Sequence, residues 1–320
     1  MQVPNHFKAL LFALSTSLPI AAHAQSISSE EKTTAIQKIA KHVATNYVYP
    51  EKGGQIASHI QMANHRGEFN KAGTWKEFDE LVTESIQNFS NDKHLYVKND
   101  PDQVKSIKGE SRNSNRMYVV QENVSFAEDV VAESKILPNN IGYLKFSHLY
   151  INTTTLDRIK DAMRSVENTD ALIIDLRNNA GGGSEMGAVL ESYFLPSGTP
   201  LLEFTSRNGE IQKLSTVNWL QEKKYEKPVF ILANKKTASA AEAFAFVLQN
   251  HKRATVVGEK SAGASFMNEW FALDDHNYVS VSTSAPHLPG TDITWEGEGV
   301  KPDIKVKNSD ALQVALERLK

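Results

Sequence analysis

The sequence predicts an α/β protein that begins with a helical subdomain. In the second half of the chain, short apolar runs alternate with segments of helical periodicity, a pattern typical of buried and largely parallel strands between helices. From about residue 26 to residue 89, apolar side chains instead recur at helical spacing. Together these observations favour a β/α layer preceded by a helical region.

Two capping boxes and a proline mark the N-terminal helices. Ser28 and Glu31 form the Ser-x-x-Glu pattern that begins a helix, and Thr74 and Glu77 form the related Thr-x-x-Glu pattern. Pro50 is expected to end the first helix. The sequence therefore predicts three helices in this region.

The alternating elements follow in the second half of the chain. Strands are predicted over 141–146, 171–176, 229–233 and 254–258, and helices near 156–166, 184–195 and 239–249. The remaining segments are predicted as a polar loop over 99–115, hairpins and loops over 268–300, and a closing helix over 310–319.

Composition and charge exclude several classes of protein. The 320 residues include no cysteine, which excludes a disulfide scaffold, cysteine-ligated zinc, an iron–sulfur cluster and a catalytic thiol. The histidines show no metal-ligand spacing. With 35 basic and 38 acidic residues the net charge is -3, and no basic block is available to contact a nucleic-acid backbone. We therefore expect no cofactor, no metal and no nucleic-acid partner.

Residues 1–24 have the order of a secretory signal peptide. A single cation, Lys8, precedes an apolar run over 9–20, and Ala22 and Ala24 give the small-residue pattern of a cleavage site. The run is too short to span a bilayer. We therefore predict export to the periplasm or the medium, cleavage after Ala24, and no stable membrane insertion.

A glycine run follows one of the predicted strands. The strand over 171–176 ends in a polar cluster, and Gly181, Gly182 and Gly183 follow before a helix. Backbone N–H groups exposed beside a helix N-terminus can bind an anion or a developing oxyanion. The run fits neither the Walker pattern nor the dinucleotide fingerprint. A tight strand-to-helix turn is the simpler alternative.

A second strand-to-helix junction carries a serine. Ser239 lies where a predicted helix begins, so its hydroxyl can point out of the fold as a nucleophile, and the next N–H, on Ala240, can stabilise an oxyanion. Ser239 and Glu242 also match a capping box, so a plain helix cap is the alternative. Because no glycine flanks the serine, the junction is not the nucleophile elbow of α/β-hydrolases.

Five short runs stand in a specific order along the chain. They are Ile141–Phe146, Leu172–Gly183, Thr237–Glu242, Val257–Gly263 and Gly299–Asp303. As a set, they resemble the S41 serine peptidases, the tail-specific or C-terminal processing protease family, whose catalytic core has the crotonase/ClpP-like fold. Two earlier runs, 47–51 and 91–95, resemble the opening of the subgroup without a PDZ domain that includes the modules of interphotoreceptor retinoid-binding protein.

The resemblance implies roles for residues at both junctions. It implies that Ser239 is the nucleophile, and that the oxyanion hole consists of the N–H of Ala240 and an N–H of Gly181 or Gly182. These implied roles agree with what the residue types at the two junctions permit.

The catalytic base distinguishes two branches of this family. Processing proteases with a PDZ domain use a lysine, but Ala264 stands at that position here and Lys260 lies too early in the sequence. The other branch, similar to the tricorn core protease, uses a histidine and a glutamate, to which His94 and Glu296 correspond. A neutral imidazole can take the serine proton, and a carboxylate can orient it.

Two acidic residues remain alternatives at this site. Glu298 is a rival to Glu296, and Asp92 is a second candidate for positioning His94. The oligomeric state is left open.

These inferences give a domain organisation and a function. We expect a signal peptide over 1–24, a helical subdomain over 25–90 and an S41-type catalytic domain over 91–320. The expected function is an exported serine-type peptidase that acts on peptides or unfolded proteins. The alternative is an inactive module of the same fold that binds an apolar ligand or a peptide, because fold does not establish activity. The presence of both Ser239 and His94 favours the enzyme.

Overall fold

The computed structural model describes residues 26–109 and 129–319. The signal peptide predicted over 1–24 lies outside the described residues, and so does the part of the predicted polar loop over 110–115.

The chain begins with three helices. They are α1 (Ser29–Asn46), α2 (Pro50–His65) and α3 (Trp75–Ser90). Both predicted capping boxes are present: the N–H of Glu31 donates to Ser28 Oγ at 3.2 Å, and the N–H of Glu77 donates to Thr74 Oγ1 at 3.3 Å. Pro50 does not end the first helix as predicted. It is the first residue of α2, where a proline loses no helical hydrogen bond.

A short strand and a fourth helix follow, and they correct the predicted loop over 99–115. The strand β1 is Tyr96–Asn99 and the helix α4 is Pro101–Gly109. Asp100 Oδ1 accepts the N–H of Gln103 at 3.1 Å, so Asp100 caps a helix whose first residue is a proline. The prediction was wrong because it weighed the polar composition above this Asp-Pro start signal.

The predicted β/α alternation is confirmed in the rest of the chain. The remaining elements are β2 (Val131–Leu137), β3 (Ile141–Phe146), α5 (Thr153–Val166), β4 (Ala171–Asp175), α6 (Ser184–Glu191), β5 (Pro200–Ser206), β6 (Ile211–Ser215), β7 (Val229–Ala233), α7 (Ala240–Asn250), β8 (Thr255–Gly258), β9 (Met267–Ala272), β10 (Asn277–His287), β11 (Ile304–Lys305) and α8 (Ala311–Arg318). Within the described residues, one sheet has the order β11-β8-β7-β4-β3-β2, with only β2 antiparallel. Its parallel strands bring the glycine run and the Ser239 junction to the same edge.

A second, antiparallel sheet was only partly predicted. It has the order β1-β10-β5-β6, and β9 also pairs with β10. The strands β5 and β6 were not predicted. One face of this sheet packs against α1, α2 and α3 through Val97, Phe271, Val279 and Val281. The sheet therefore joins the helical region to the rest of the chain.

Within residues 26–109 and 129–319, no helix is both long enough and apolar enough to cross a bilayer.

Candidate active site

Ser239 lies at a strained position between β7 and α7. Its φ of 53° and ψ of -125° are uncommon for a residue with a side chain. The backbone N–H of Ser239 donates to Glu242 Oε2 at 2.9 Å, so the glutamate supplies its part of the predicted capping box. Strain of this kind persists only where the surrounding structure fixes the backbone, and it clusters at functional sites.

The hydroxyl of Ser239 contacts a residue distant in sequence. Its Oγ lies 3.2 Å from Nε2 of His94, across a separation of 145 residues. This distance is within the range expected between a nucleophile and its base. The structure thus brings together the two side chains that the sequence analysis singled out.

The turn before β1 holds His94 by its backbone. Asn91 adopts the left-handed conformation that ends α3, and Asp92 Oδ1 accepts the N–H of His94 at 2.8 Å. Ser280 Oγ donates to the His94 carbonyl at 2.6 Å and accepts from Asn268 Nδ2 at 2.7 Å. Sequence reasoning missed Ser280, because no local pattern points to a residue 186 positions away.

Glu242 joins the serine turn to a neighbouring loop. Its carboxylate is fully buried. Oε1 accepts from Ser261 Oγ at 2.5 Å and from the Gly263 N–H at 2.6 Å, and Oε2 accepts from the Ala264 N–H at 2.9 Å in addition to the Ser239 N–H. A buried carboxylate is tolerated when its lone pairs are satisfied in this way. The contacts fix the backbone on both sides of the nucleophile.

The predicted third residue, Glu296, is held at one carboxylate oxygen. Its Oε2 accepts the N–H of Ser265 at 2.6 Å and that of Phe266 at 3.3 Å. Burial and, as the second cause, the negative charge of Asp92 raise the pKa of Glu296 to about 7. No direct hydrogen bond between Glu296 and His94 is present among the described residues. Glu298, the alternative to Glu296, is exposed, and its carboxylate pairs with Lys301 at 3.0 Å. Glu298 therefore does not share the buried surroundings of Glu296.

Three buried polar atoms near His94 have no hydrogen-bond partner within the described part of the chain. They are His94 Nδ1, Asp92 Oδ2 and Glu296 Oε1. Burial lowers the pKa of His94, and the charge of Asp92 partly offsets this effect. Burial is the main cause that raises the pKa of Tyr47, and the negative charges of Asp92 and Glu296 add to it. The phenol of Tyr47 therefore stays neutral. Asp92 thus acts on both His94 and Tyr47, and Glu296 lies near Asp92 and Tyr47.

The glycine run lies directly against the serine. The N–H of Gly181 donates to Asn179 Oδ1 at 2.8 Å and is therefore occupied. A Cβ at Gly181 would lie 2.8 Å from Ser239 Cβ and 2.9 Å from the Ala240 nitrogen. The N–H groups of Gly182 and Ala240 have no partner among the described residues. The absence of a side chain at Gly181 therefore leaves space beside Ser239 and the Ala240 N–H.

Two further observations concern the surroundings of the site. Arg177 Nε donates to Asp175 Oδ1 at 2.9 Å, so these residues pair at the strand end. Lys260 is exposed, and no contact with Ser239 is found for it in the described residues. Within those residues, no group of three or more histidine or acidic side chains is arranged to hold a metal ion.

The family assignment rests on matches along most of the sequence. The sequence profile of peptidase family S41 matches residues 140–306, and that of the N-terminal domain of Peptidase_S41 in eukaryotic IRBP matches residues 13–134. The chain therefore belongs to peptidase family S41.

Characterised relatives share part of their length with this chain. A carboxyl-terminal-processing protease of Synechocystis is 32% identical over 152 residues, which cover 47% of this chain and 34% of that protein. The carboxy-terminal processing protease CtpA of Bacillus subtilis is 30% identical over 185 residues, which cover 57% of this chain and 38% of that protein. The matches thus span little more than a third of these relatives.

A solved structure extends the likeness to nearly the whole chain. The photosystem II D1 C-terminal processing protease is similar with a TM-score of 0.53 and 15% identity, over 88% of this chain and 94% of that one. At this identity the likeness concerns the fold. It confirms the predicted crotonase/ClpP-like α/β class with its N-terminal helical region.

We predict that Gly181→Ala impairs the site through its added methyl group. The Cβ would lie closer than van der Waals contact to Ser239 and to the Ala240 nitrogen, and φ at this position is +98°. We expect the labelling rate with a serine-directed fluorophosphonate to fall at least tenfold. Gly187→Ala is the matched control, because a Cβ at Gly187 meets no atom within 4 Å. Equal labelling rates for both variants would contradict the role given to Gly181.

Proposed function

We propose that this chain is a serine peptidase that hydrolyses peptide bonds through an acyl-enzyme on Ser239. The observation that carries the proposal is the 3.2 Å separation between Ser239 Oγ and His94 Nε2, at a serine with strained backbone. The proposed substrate is a peptide or an unfolded protein, and the names of the relatives, which are processing proteases, support a peptide or protein substrate.

The first half of the reaction forms the ester. Ser239 Oγ attacks the carbonyl carbon of the scissile bond while His94 Nε2 takes its proton. The negative charge that develops on the carbonyl oxygen is stabilised by the N–H groups of Ala240 and Gly182. When the tetrahedral intermediate collapses, the C–N bond breaks and His94 returns the proton to the leaving amine.

The second half hydrolyses the ester. Water loses a proton to His94 and attacks the acyl carbon, and the C–O bond to Ser239 breaks as the serine recovers its proton. The new carboxylic acid then leaves. A neutral His94 is needed at the start of each half, and its lowered pKa favours that form at neutral pH.

Asp92 and Glu296 stabilise the imidazolium that forms during each half. Asp92 already acts on His94, since its charge opposes the effect of burial on the histidine pKa. Glu296 is the third catalytic residue of this proposal, and its unpartnered Oε1 provides an acceptor in the same buried surroundings.

The rival function is a module that binds an apolar ligand or a peptide without cleaving it. A binding module has no need of a strained serine beside a histidine or of two free N–H groups next to it. These features favour the peptidase.

We further propose that residues 1–24 direct export and are removed, because their composition is that of a signal peptide.

Substitution of the proposed nucleophile and base tests the peptidase. We expect Ser239→Ala and His94→Ala each to lower turnover of denatured casein by about a thousandfold or more, with the melting temperature nearly unchanged. Lys260→Ala is the control, and it should retain turnover because Lys260 is exposed. Turnover that survives in His94→Ala but is lost in Lys260→Ala would overturn the choice of base.

The pH dependence tests Glu296. Its pKa of about 7 means that the carboxylate is mostly protonated at pH 6 and mostly charged at pH 8. The charged form stabilises the imidazolium, so the effect of Glu296→Gln on kcat/KM should grow from about twofold at pH 6 to about tenfold at pH 8. Glu298→Gln serves as control at the exposed ion pair. If the ratio of kcat/KM between the wild type and Glu296→Gln stays constant with pH, this role of Glu296 is contradicted.

A further inference from the structure

The antiparallel sheet has one face that does not pack against α1, α2 and α3. Side chains alternate along β1, and Leu95 and Val97 lie in the core shared with α1, α2 and α3. His94, Tyr96 and Lys98 therefore lie on the opposite face. Because His94 reaches Ser239 from this face, the neighbouring positions of the sheet border the catalytic centre.

Three aromatic residues occupy this face next to His94. Tyr96 is opposite Ser280 of β10, and Ser280 is opposite Trp270 of β9, so these residues form one row. Tyr278 lies two positions along β10 on the same face. We call Tyr96, Trp270 and Tyr278 the aromatic wall.

The aromatic wall is held together by its own contacts. The ring centroids of Tyr96 and Tyr278 are 6.1 Å apart, and those of Trp270 and Tyr278 are 6.3 Å apart, in edge-to-face geometry. Trp270 Nε1 donates to the Tyr96 hydroxyl at 3.0 Å. This bond satisfies the indole donor inside the wall. Tyr278 is buried, so the ring surface that the wall presents belongs to Tyr96 and Trp270 and is apolar.

A fourth aromatic residue approaches from the side of the glycine run. The Leu149 N–H donates to the Gly181 carbonyl at 2.8 Å, and the Gly183 N–H donates to the Leu149 carbonyl at 2.9 Å. Tyr150 follows directly and is 37% exposed. Burial raises the pKa of Tyr150, and Tyr96 adds to this effect, which shows that Tyr150 lies near the wall.

We propose that the aromatic wall and Tyr150 form a subsite for a large apolar or aromatic side chain of the substrate, next to the scissile bond. The proposal rests on the proposed peptidase function. Tyr96 is two residues from His94, and Tyr150 is one residue from the segment that pairs with the glycine run, so the subsite adjoins both halves of the catalytic centre. Lys98, the cation opposite Tyr278 on this face, pairs with Asp100 at 3.1 Å. An apolar side chain is therefore favoured over an acidic one.

Cleavage-site mapping tests the subsite. Wild-type protein, Tyr150→Ala and Trp270→Ala are incubated with denatured casein, and cleavage sites are identified by mass spectrometry. We expect Phe, Tyr, Trp, Leu and Met to be enriched on one side of the bonds cut by the wild type, and the enrichment to fall at least fivefold in both variants. Trp219→Ala, at an exposed tryptophan outside the wall, should keep it. Absence of enrichment in the wild type, or unchanged enrichment in Tyr150→Ala, would overturn the proposal.

A binding measurement separates the subsite from the chemistry. Calorimetry on Ser239→Ala compares a capped pentapeptide with a central Phe to the same peptide with a central Ala. We expect about tenfold tighter binding of the Phe peptide, and loss of that difference in Ser239→Ala combined with Tyr150→Ala. Equal binding of the two peptides would refute the subsite even if the wild type cleaves casein. If the protein binds the Phe peptide more tightly but neither cleaves casein nor reacts with a fluorophosphonate, the subsite proposal stands and the peptidase proposal is refuted.

Discussion

The carboxylate of Glu242 is the interaction on which the geometry of the site depends. Two of its four hydrogen bonds come from the Ser239 N–H and the Ser261 hydroxyl. The Ser261 oxygen in turn accepts the Val300 N–H at 2.6 Å. Two chain segments therefore meet at one buried anion, and a third is joined to them through Ser261. A buried carboxylate without hydrogen-bond partners would cost free energy of folding. The hydrogen bonds to Glu242 therefore hold the three segments in place together, along with the positive φ of Ser239.

The base depends on a different part of the chain. His94 lies in the turn after α3, and its position relative to Ser239 follows from how the helices and the antiparallel sheet pack together. Lys93 Nζ donates to the carbonyl of Ala262, which lies in the loop that Glu242 also holds. The turn after α3 thus links the packing of the helical region to the catalytic geometry. A fault in its packing would separate the base from the nucleophile without touching either residue.

The features that the sequence predicted well are local ones. The capping boxes, the parallel strands and the Ser239 junction are each specified by residues a few positions apart. The pairing of His94 with Ser239 was accessible only through the resemblance to the family. The strain at Ser239 was not predictable, since an ordinary N-cap has negative φ. The hydrogen bond that occupies the N–H of Gly181 was not predictable either, because it depends on the orientation of the Asn179 side chain.

The surroundings of His94 show where prediction from sequence stops. Asp92 and Glu296 were both named as candidates, but their influence on each other depends on a shared buried environment that only the fold creates. The wall of Tyr96, Trp270 and Tyr278 combines three strands, of which β1 was not predicted. Such features follow from tertiary packing rather than from any spacing along the chain.

The most direct measurement is the rate at which a fluorophosphonate labels Ser239 in Glu242→Gln, with the adduct located by mass spectrometry. A glutamine replaces one acceptor oxygen by a donor, so at least one N–H or hydroxyl around the serine loses its partner. The predicted result is labelling about a hundredfold slower than in the wild type. Glu191→Gln, at a buried glutamate outside the site, should label at the wild-type rate. Labelling of Glu242→Gln at the wild-type rate would contradict the account.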